Sequence, residues 1–361
     1  MFQIDRKKLK YFDYPLFFSV LLISLMSIFT IYTISKGRIF ALRQLFWVLS
    51  GVALSIVVAN IDIRKIKSFA KPFYLFSLLL LILVFLNGVL SHGARRWISI
   101  AFFHIQPSEF VKVSIILILA HYFDENPKYE AYDFKELFIP FLLIAFPTGL
   151  ILIQPDLGTS VIILAISFSI LLLAGIKRSL LMKMAILGIV FLPFAWSSLK
   201  PYQKDRIMAF INPYAAPATY GYHIIQSEIA IGSGGLLGKG VKGATQTALN
   251  FLPESHTDFI FSVFSEQRGF VGDLILIFLY LFIILRAIQI AKNTKSNFER
   301  FVAIGIIAMI WVSFVFNVGM TMGLLPVVGI PLVFFSYGGS AMIINFFCLG
   351  LLLSIKLRNS L

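Results

Sequence analysis

The feature that most constrains this sequence is a series of apolar runs, most of them close to 20 residues long. Crossing the hydrocarbon core of a bilayer takes a helix of about 20 apolar residues, because every backbone polar group must be satisfied inside the segment. The sequence therefore predicts an all-α integral membrane protein with about ten transmembrane helices. The predicted spans lie near 15–34, 43–61, 72–90, 108–123, 137–153, 157–174, 180–197, 258–290, 300–323 and 336–355.

Composition agrees with a membrane protein. Hydrophobic residues make up 59% of the 361 residues, and charged residues make up 13%, about half the share of a typical soluble domain. The first apolar run, 15–34, is longer than a signal-peptide core of roughly 7–15 residues and lacks a small-residue cleavage site, so we interpret it as a retained helix. The single cysteine, Cys348, excludes a disulfide framework or a zinc site within one chain.

The distribution of Lys and Arg predicts the orientation, because basic residues are concentrated in cytoplasmic segments. With the N-terminus inside, the basic residues fall mainly in inside segments, so we predict that both termini are cytoplasmic. We attribute the net charge of +14 to this bias rather than to nucleic acid, because no basic stretch is interleaved with aromatics. The inside residues are Arg6, Lys7, Lys8, Lys10, Arg64, Lys65, Lys67, Lys71, Lys128, Lys135, Lys177, Arg178, Lys183, Arg286, Lys292, Lys295, Arg300, Lys356 and Arg358.

One connection is much longer than the others. Residues 198–257 form an extracytoplasmic loop within what we otherwise interpret as a single polytopic domain, 1–361. Loops longer than about 12–15 residues are usually functional or disordered. This loop contains Gly, Tyr and His without a low-complexity repeat, so we expect ordered re-entrant or surface-lying pieces that shape a site.

Ionisable residues at membrane depth are candidates for function, because they are costly to insert. Glu109 and Lys112 lie three residues apart on one face of the fourth predicted helix, and Asp156 lies near the junction of the fifth and sixth. A buried Lys112 could pair with either carboxylate. The alternative interpretation is a purely structural ion pair that pins helices together.

Asp258 lies where the long outer loop meets the eighth predicted helix. A carboxylate near a helix N-terminus is favoured in its ionised form. Composition alone favours a simple N-cap, but Thr257 could cap the helix instead and leave Asp258 free. His256 could orient Asp258 or titrate with it, although a His-x-Asp pair alone is too little for a metal site.

Two further segments bring basic residues to the outer face. The glycine-rich segment 232–243 could bring its backbone and Lys239 to an anion, or it could be a plain turn. It is not a dinucleotide fingerprint, because no strand precedes it in a βαβ unit. Arg95, Arg96 and Trp97 are typical of an anchor at the level of the lipid headgroups.

Seven segments carry a resemblance to a known family. In chain order they are GARRWISI (93–100), IQPSEFVKV (105–113), QPDLGTS (154–160), YGYHIIQSEIAIGSGGLLGKG (220–240), FLPESHTDFIFSV (251–263), NVGMTMGLLPVVGIPL (317–332) and SYGGSAM (336–342). Together they resemble the SEDS family (shape, elongation, division and sporulation), and most closely its rod-shape branch. The division branch, with the same chemistry, is the alternative.

The resemblance implies a peptidoglycan glycosyltransferase of the bacterial inner membrane that serves cell elongation. Such an enzyme polymerises lipid II, an undecaprenyl-diphosphate-linked disaccharide-pentapeptide, at the outer face. The resemblance also implies a class B penicillin-binding protein as partner, among membrane lipids and without nucleic acid. It assigns the catalytic aspartate to Asp258 and marks Glu109, Lys112 and Asp156 as functionally sensitive.

The chemistry of lipid II suits a single carboxylate. Its diphosphate departs from the anomeric carbon without a general acid, so one base is enough to take the proton of the acceptor's GlcNAc 4-hydroxyl. We expect basic residues to bind the diphosphate, with or without a divalent cation such as Mg²⁺ or Mn²⁺. The candidates are Lys112, Arg95, Arg96, Arg206 and Lys239. A transporter or lipid II flippase is the main rival hypothesis, and a scaffolding membrane protein is the third.

Overall fold

The computed structural model describes residues 11–34, 37–91, 94–100, 103–215, 220–252 and 254–359. Over these residues the chain is a bundle of α-helices, and each predicted span falls on a long helix. The helices are α1 (Tyr14–Thr33), α2 (Gly37–Asn60), α3 (Ile63–Asn87), α4 (Pro107–Glu125), α5 (Phe134–Ile153), α6 (Leu157–Ala174), α7 (Arg178–Ser198), α8 (Pro201–Ile211), α9 (Tyr220–Gly234), α10 (Gly240–Gly243), α11 (Thr245–Ala248), α12 (Ile260–Asn293), α13 (Asn297–Thr321) and α14 (Gly339–Asn359).

The bundle is a multi-span membrane protein. Within the described residues, eight helices are long and apolar enough to cross a bilayer. The two other long helices, α4 and α7, lie on the predicted spans 108–123 and 180–197. α4 stands in the centre of the bundle and is buried along most of its length, whereas α7 exposes nearly all of its described side chains. The all-α membrane fold is therefore confirmed.

A small sheet interrupts the all-helical pattern at one end of the bundle. The third predicted span runs to residue 90, but α3 ends at Asn87, where the N–H of Gly88 donates to the carbonyl of Val84 (2.8 Å). The chain then forms an antiparallel sheet of β1 (Val89–Ser91), β2 (Ala94–Ile100) and β3 (Phe103–Ile105). The segment that we interpreted as a headgroup anchor is therefore part of a β-hairpin, with Trp97 opposite Val89.

Within its described residues, the long connection 198–257 is built of short elements, as expected. It contains α8, a 3₁₀ turn at Pro213–Ala215, α9, α10 and α11. These pieces lie between α7 and α12 in the chain. α9 packs against α12, so the connection is held over the end of the bundle where Asp258 lies.

The sequence predicts α12 as one continuous helix, but its backbone is broken into two helical parts at Gly269. Gly269 adopts φ 64° and ψ −170°, which breaks the hydrogen-bond ladder. The N–H groups of Phe270 and Val271 donate instead to the carbonyls of Gly235 (2.9 Å) and Leu236 (3.1 Å) in the glycine-rich segment. This segment therefore replaces the helical partners that the break removes, which a backbone at membrane depth requires.

The close approach explains the glycines. A Cβ on Gly238 would collide with the backbone of Gln267, and one on Gly234 would collide with the carbonyl of Ser265. Gly238 also has φ 80°, a left-handed conformation that side chains other than glycine rarely adopt. The segment is neither a plain turn nor a free loop, because its backbone is part of the hydrogen bonding of α12.

The opposite end of the bundle is organised by caps and ion pairs. Asp62 accepts the N–H of Arg64 (2.9 Å) at the start of α3 and pairs with Arg358 (3.2 Å) at the end of α14. Lys67 pairs with Asp124 at 2.6 Å. Because the Lys- and Arg-rich segments of the sequence meet at this end of the bundle, it corresponds to the predicted cytoplasmic face.

Candidate active site

Asp258 lies in the turn 254–259 that leads into α12. The N-cap position is taken by Phe259, which makes no side-chain capping bond, so the carboxyl of Asp258 is not used as a cap. The side-chain amide of Asn317 holds the turn, donating to the carbonyl of Asp258 (3.0 Å) and to that of Ile330 (2.8 Å). The carboxyl remains partly exposed and is held by its backbone rather than by a cap.

The electrostatics of Asp258 differ from the sequence expectation. Proximity to the helix N-terminus predicts a carboxyl favoured in its ionised form, but its pKa is raised from 3.8 to about 6. Burial is the main cause, because it removes water from the ionised carboxylate, and repulsion by the nearby charge of Glu254 adds to it. The result is a carboxyl that is mostly ionised at neutral pH yet basic enough to take a proton.

Two arginines act on Asp258 in the opposite direction. The positive charges of Arg206 and Arg96 both lower its pKa, although less than burial raises it. Arg96 is fixed by donating to the carbonyl oxygens of Gln154 (3.2 Å) and Pro155, and it lies 3.9 Å from the carboxylate of Asp156. The structure thus brings these two arginines around one carboxyl.

Asp156 has a structural task in the same place. It caps α6, accepting the N–H of Thr159 (3.2 Å) and its hydroxyl (2.9 Å). The start of α6 also packs tightly on the segment that faces Asp258, because a Cβ at Gly158 would lie 2.8 Å from the carbonyl oxygen of Val328. On that segment, a Cβ at Gly329 would lie 3.3 Å from the carboxylate of Asp258.

The long connection 198–257 supplies further residues near Asp258. On α8, the guanidinium of Arg206 lies 5.8 Å from the ring centre of Tyr202, whose hydroxyl donates to the carbonyl of Pro155 (3.4 Å). On α9, His223 stacks on Phe259 at 6.1 Å. Burial, and then the charge of Arg206, lower the pKa of His223.

His256 is fixed by aromatic contacts. Its ring stacks on Phe40 of α2 (4.8 Å) and meets Tyr337 edge-on (5.9 Å), while its carbonyl accepts the N–H of Tyr337 (2.9 Å). Burial lowers its pKa. The structure therefore gives His256 the role of anchoring the turn that carries Asp258 to α2.

The other predicted residues lie apart from this cluster. Glu109 and Lys112 form a buried ion pair of 2.8 Å within α4, so the partner of Lys112 is Glu109 and not Asp156. Lys239 lies 3.9 Å from Glu266. The backbone of Arg95 lies in β2, but its side chain is outside the described residues. The functional roles assigned to these residues stay predictions.

Sequence reasoning missed three residues of the cluster. Glu254 lies in the segment 251–263, four residues before Asp258, and has a left-handed φ of 48°. The motif did not predict its effect on Asp258. Asn317 is a fully buried amide in an otherwise apolar helix, which is a recognisable signal for a polar contact across helices. Nothing in the sequence shows that His223 folds back onto Phe259.

The arrangement offers one titratable base beside two fixed positive charges. Within the described residues, no group of three His, Cys, Asp or Glu side chains could hold a metal ion. Fold and site together define a multi-span membrane protein whose polar cluster around Asp258, at one end of the bundle, is equipped for proton abstraction next to an anion.

Known proteins share this architecture. A chain from a solved peptidoglycan synthase complex, described as coordinating polymerization and crosslinking, matches with a TM-score of 0.84 and 32% identity over 96% of this chain and 98% of that chain. The crystal structure of the rod shape determining protein RodA of Thermus thermophilus matches with a TM-score of 0.72 and 28% identity, covering 96% of each chain.

Sequence relatives agree. Residues 9–361 match the cell cycle protein family of FtsW, RodA and SpoVE. Peptidoglycan glycosyltransferase MrdB of Escherichia coli (strain K12) is 40% identical over 316 residues, 87% of this chain and 84% of that protein. Stage V sporulation protein E of Bacillus subtilis (strain 168) is 35% identical over 341 residues, 93% of this chain and 92% of that protein. The chain therefore belongs to the FtsW/RodA/SpoVE family, the SEDS family that the motifs indicated.

Proposed function

We propose that this chain polymerises lipid II at the outer face of the bacterial inner membrane, with Asp258 as the general base. That it is a peptidoglycan glycosyltransferase follows from its relatives. One observation carries the proposal for Asp258: its carboxyl has a raised pKa and lies within reach of the positive charges of Arg206 and Arg96. We further propose the rod-shape branch, because the MrdB relatives are 38–40% identical and the FtsW and sporulation relatives 33–35%.

In the proposed reaction, the 4-hydroxyl of the acceptor's GlcNAc attacks the anomeric carbon of the donor. Asp258 takes the hydroxyl proton while the bond from the anomeric carbon to the diphosphate breaks. General base catalysis of this kind contributes about 10²–10⁴-fold to the rate. The held positions of two lipid-linked substrates supply a further part, because orientation makes the step effectively intramolecular.

The departing diphosphate needs positive charge, and the geometry narrows the five basic candidates. Lys112 is 3% exposed and paired with Glu109, and Lys239 faces Glu266. Arg96 and Arg206 are partly exposed and act directly on Asp258. We propose that these two arginines bind the diphosphate. Any Mg²⁺ or Mn²⁺ would then arrive bound to the substrate's diphosphate.

The proposed partner is a class B penicillin-binding protein that cross-links the glycan. Its support is the similarity to a chain of the peptidoglycan synthase complex. Co-purification of this chain with such a transpeptidase from a shared membrane, and a higher polymerisation rate for the pair, is the expected outcome.

The proposal is tested with purified protein and lipid II in detergent. Wild type is expected to form glycan polymer, whereas Asp258→Asn loses it by about 10²–10⁴-fold because the base is gone. The matched control is Asp205→Asn, which removes an exposed carboxyl beside Arg206 and should leave activity unchanged. Polymer formation by Asp258→Asn at the wild-type rate would refute the base assignment. Translocation of lipid II without polymer would favour a flippase.

The same variant has an expected effect on stability. Because the folded pKa of Asp258 lies above its unfolded value, its contribution to stability is full below pH 3.8 and is lost as pH rises through about 6. Asn has no such loss. At pH 7.5, Asp258→Asn should therefore melt at the wild-type temperature or above it, which separates lost chemistry from lost fold.

A further inference from the structure

A narrow apolar groove runs between α1 and α2 on the outside of the bundle. Its volume is about 290 Å³. It lies among side chains that face the lipid: Leu42, for example, is 60% exposed and Phe29 46%. The residues of its wall that matter here are Phe29, Tyr32, Arg38, Ala41, Leu42 and Leu45.

The groove carries positive charge at one end. Arg38 belongs to its lining. Arg268 lies with its guanidinium carbon 4.9 Å from the ring centre of Phe29. Paired hydrogen bonds between Thr33 and Gln267 (2.9–3.0 Å) fix this part of α12 to the last turn of α1, which is its predicted outer end. Among the ion pairs of the described residues, none includes either arginine.

α2 separates the groove from the candidate active site. Its opposite face meets the bundle, where Phe40 stacks on His256 and Gln44 donates to the carbonyl of Ser336 (3.2 Å). Residues 38, 41, 42 and 45 follow the helical spacing of a separate face. A molecule in the groove therefore does not reach Asp258.

From this geometry we propose that the groove binds one anionic glycerophospholipid of the outer leaflet. An acyl chain lies along Phe29, Leu42 and Leu45, and the phosphate lies at the end marked by Arg38 and Arg268. A polyprenyl diphosphate substrate is disfavoured, because α2 keeps its headgroup from the base.

The proposal is tested by native mass spectrometry of the protein in micelles containing phosphatidylglycerol or phosphatidylethanolamine. Wild type should retain one phosphatidylglycerol and discriminate against the zwitterionic lipid. The double variant Arg38→Gln/Arg268→Gln should bind it about 25-fold more weakly, since each basic side chain near a lipid headgroup contributes about fivefold. The control Lys200→Gln/Lys204→Gln removes equal charge from the start of α8 in the predicted outer connection, outside the groove lining, and should match wild type.

A second variant tests the groove itself. Leu42→Trp fills it from an exposed position without touching either arginine, and should also displace the lipid. Its control, Leu22→Trp, adds the same ring to an exposed position of α1 outside the groove lining. Equal phosphatidylglycerol binding by wild type, the arginine double variant and Leu42→Trp would overturn the proposal. Displacement of the bound lipid by undecaprenyl phosphate at equal concentration would also overturn it.

Discussion

Charged side chains are arranged differently at the two ends of the helical bundle. At the Lys- and Arg-rich end, opposite charges meet in partly exposed pairs such as Lys67 with Asp124, and helices start at capping aspartates such as Asp62. At the other end, the carboxyl of Glu254 lies close enough to Asp258 to help raise the pKa of Asp258. The first arrangement is what anchoring requires, whereas the second leaves a partly exposed carboxyl with a raised pKa beside two arginines, which is typical of a functional site.

The backbone differs between the ends in the same way. Glu254 and Gly269 have left-handed φ values of 48° and 64°, and both lie toward the end that carries the site. Such conformations cost about 1–3 kcal/mol each for residues other than glycine and persist only where the surroundings impose them. Regular, capped helices therefore orient the protein, whereas irregular backbone shapes the site.

The largest effect on stability is expected from the buried pair in α4. Lys112→Met leaves the carboxylate of Glu109 uncompensated at 2% exposure, so the free energy of unfolding should fall by about 3–5 kcal/mol. Thermal melting in detergent measures it. The double variant Glu109→Leu/Lys112→Met removes both charges and should recover most of the loss. No recovery would mean that the two residues are not coupled as the 2.8 Å contact indicates.

The next effect tests the glycine-rich segment. Gly238→Ala places a Cβ against the backbone of Gln267 at a φ of 80°, so the unfolding free energy should drop by about 2 kcal/mol or more. Gly188→Ala is the matched control, because Gly188 lies in exposed α7 with open space around its Cβ position. It should be neutral or stabilising by up to about 1 kcal/mol. Equal melting temperatures for the two variants would contradict the proposed replacement of hydrogen bonds in α12.

The smallest effect is expected at the capped end. Lys67→Met breaks the 2.6 Å pair with Asp124. The side chain of Lys67 is 31% exposed and that of Asp124 is 21% exposed. Pairs of this kind contribute about 0–1 kcal/mol, so the melting temperature should change little. Polymerisation of lipid II should also stay at the wild-type rate. A loss as large as that of Lys112→Met would remove the distinction between the two ends.

The long helices and the position of Asp258 could be predicted because both depend on local sequence. Apolar length fixes the spans, and the ordered motifs place Asp258 at the start of α12. The break at Gly269 could not be predicted, because its hydrogen-bond partners are Gly235 and Leu236, more than 30 residues away. The direction of the pKa shift of Asp258 was predicted wrongly, because burial and Glu254 outweigh proximity to a helix N-terminus.

The pH dependence of polymerisation tests the role of Asp258 most directly. If its ionised carboxyl takes the proton, kcat/KM measured with purified protein and lipid II should fall on the acid side with a midpoint near pH 6 and stay level between about pH 7 and 8. A rate that persists unchanged down to pH 5, or an acid limb centred near pH 4, would contradict a partly buried base with a raised pKa.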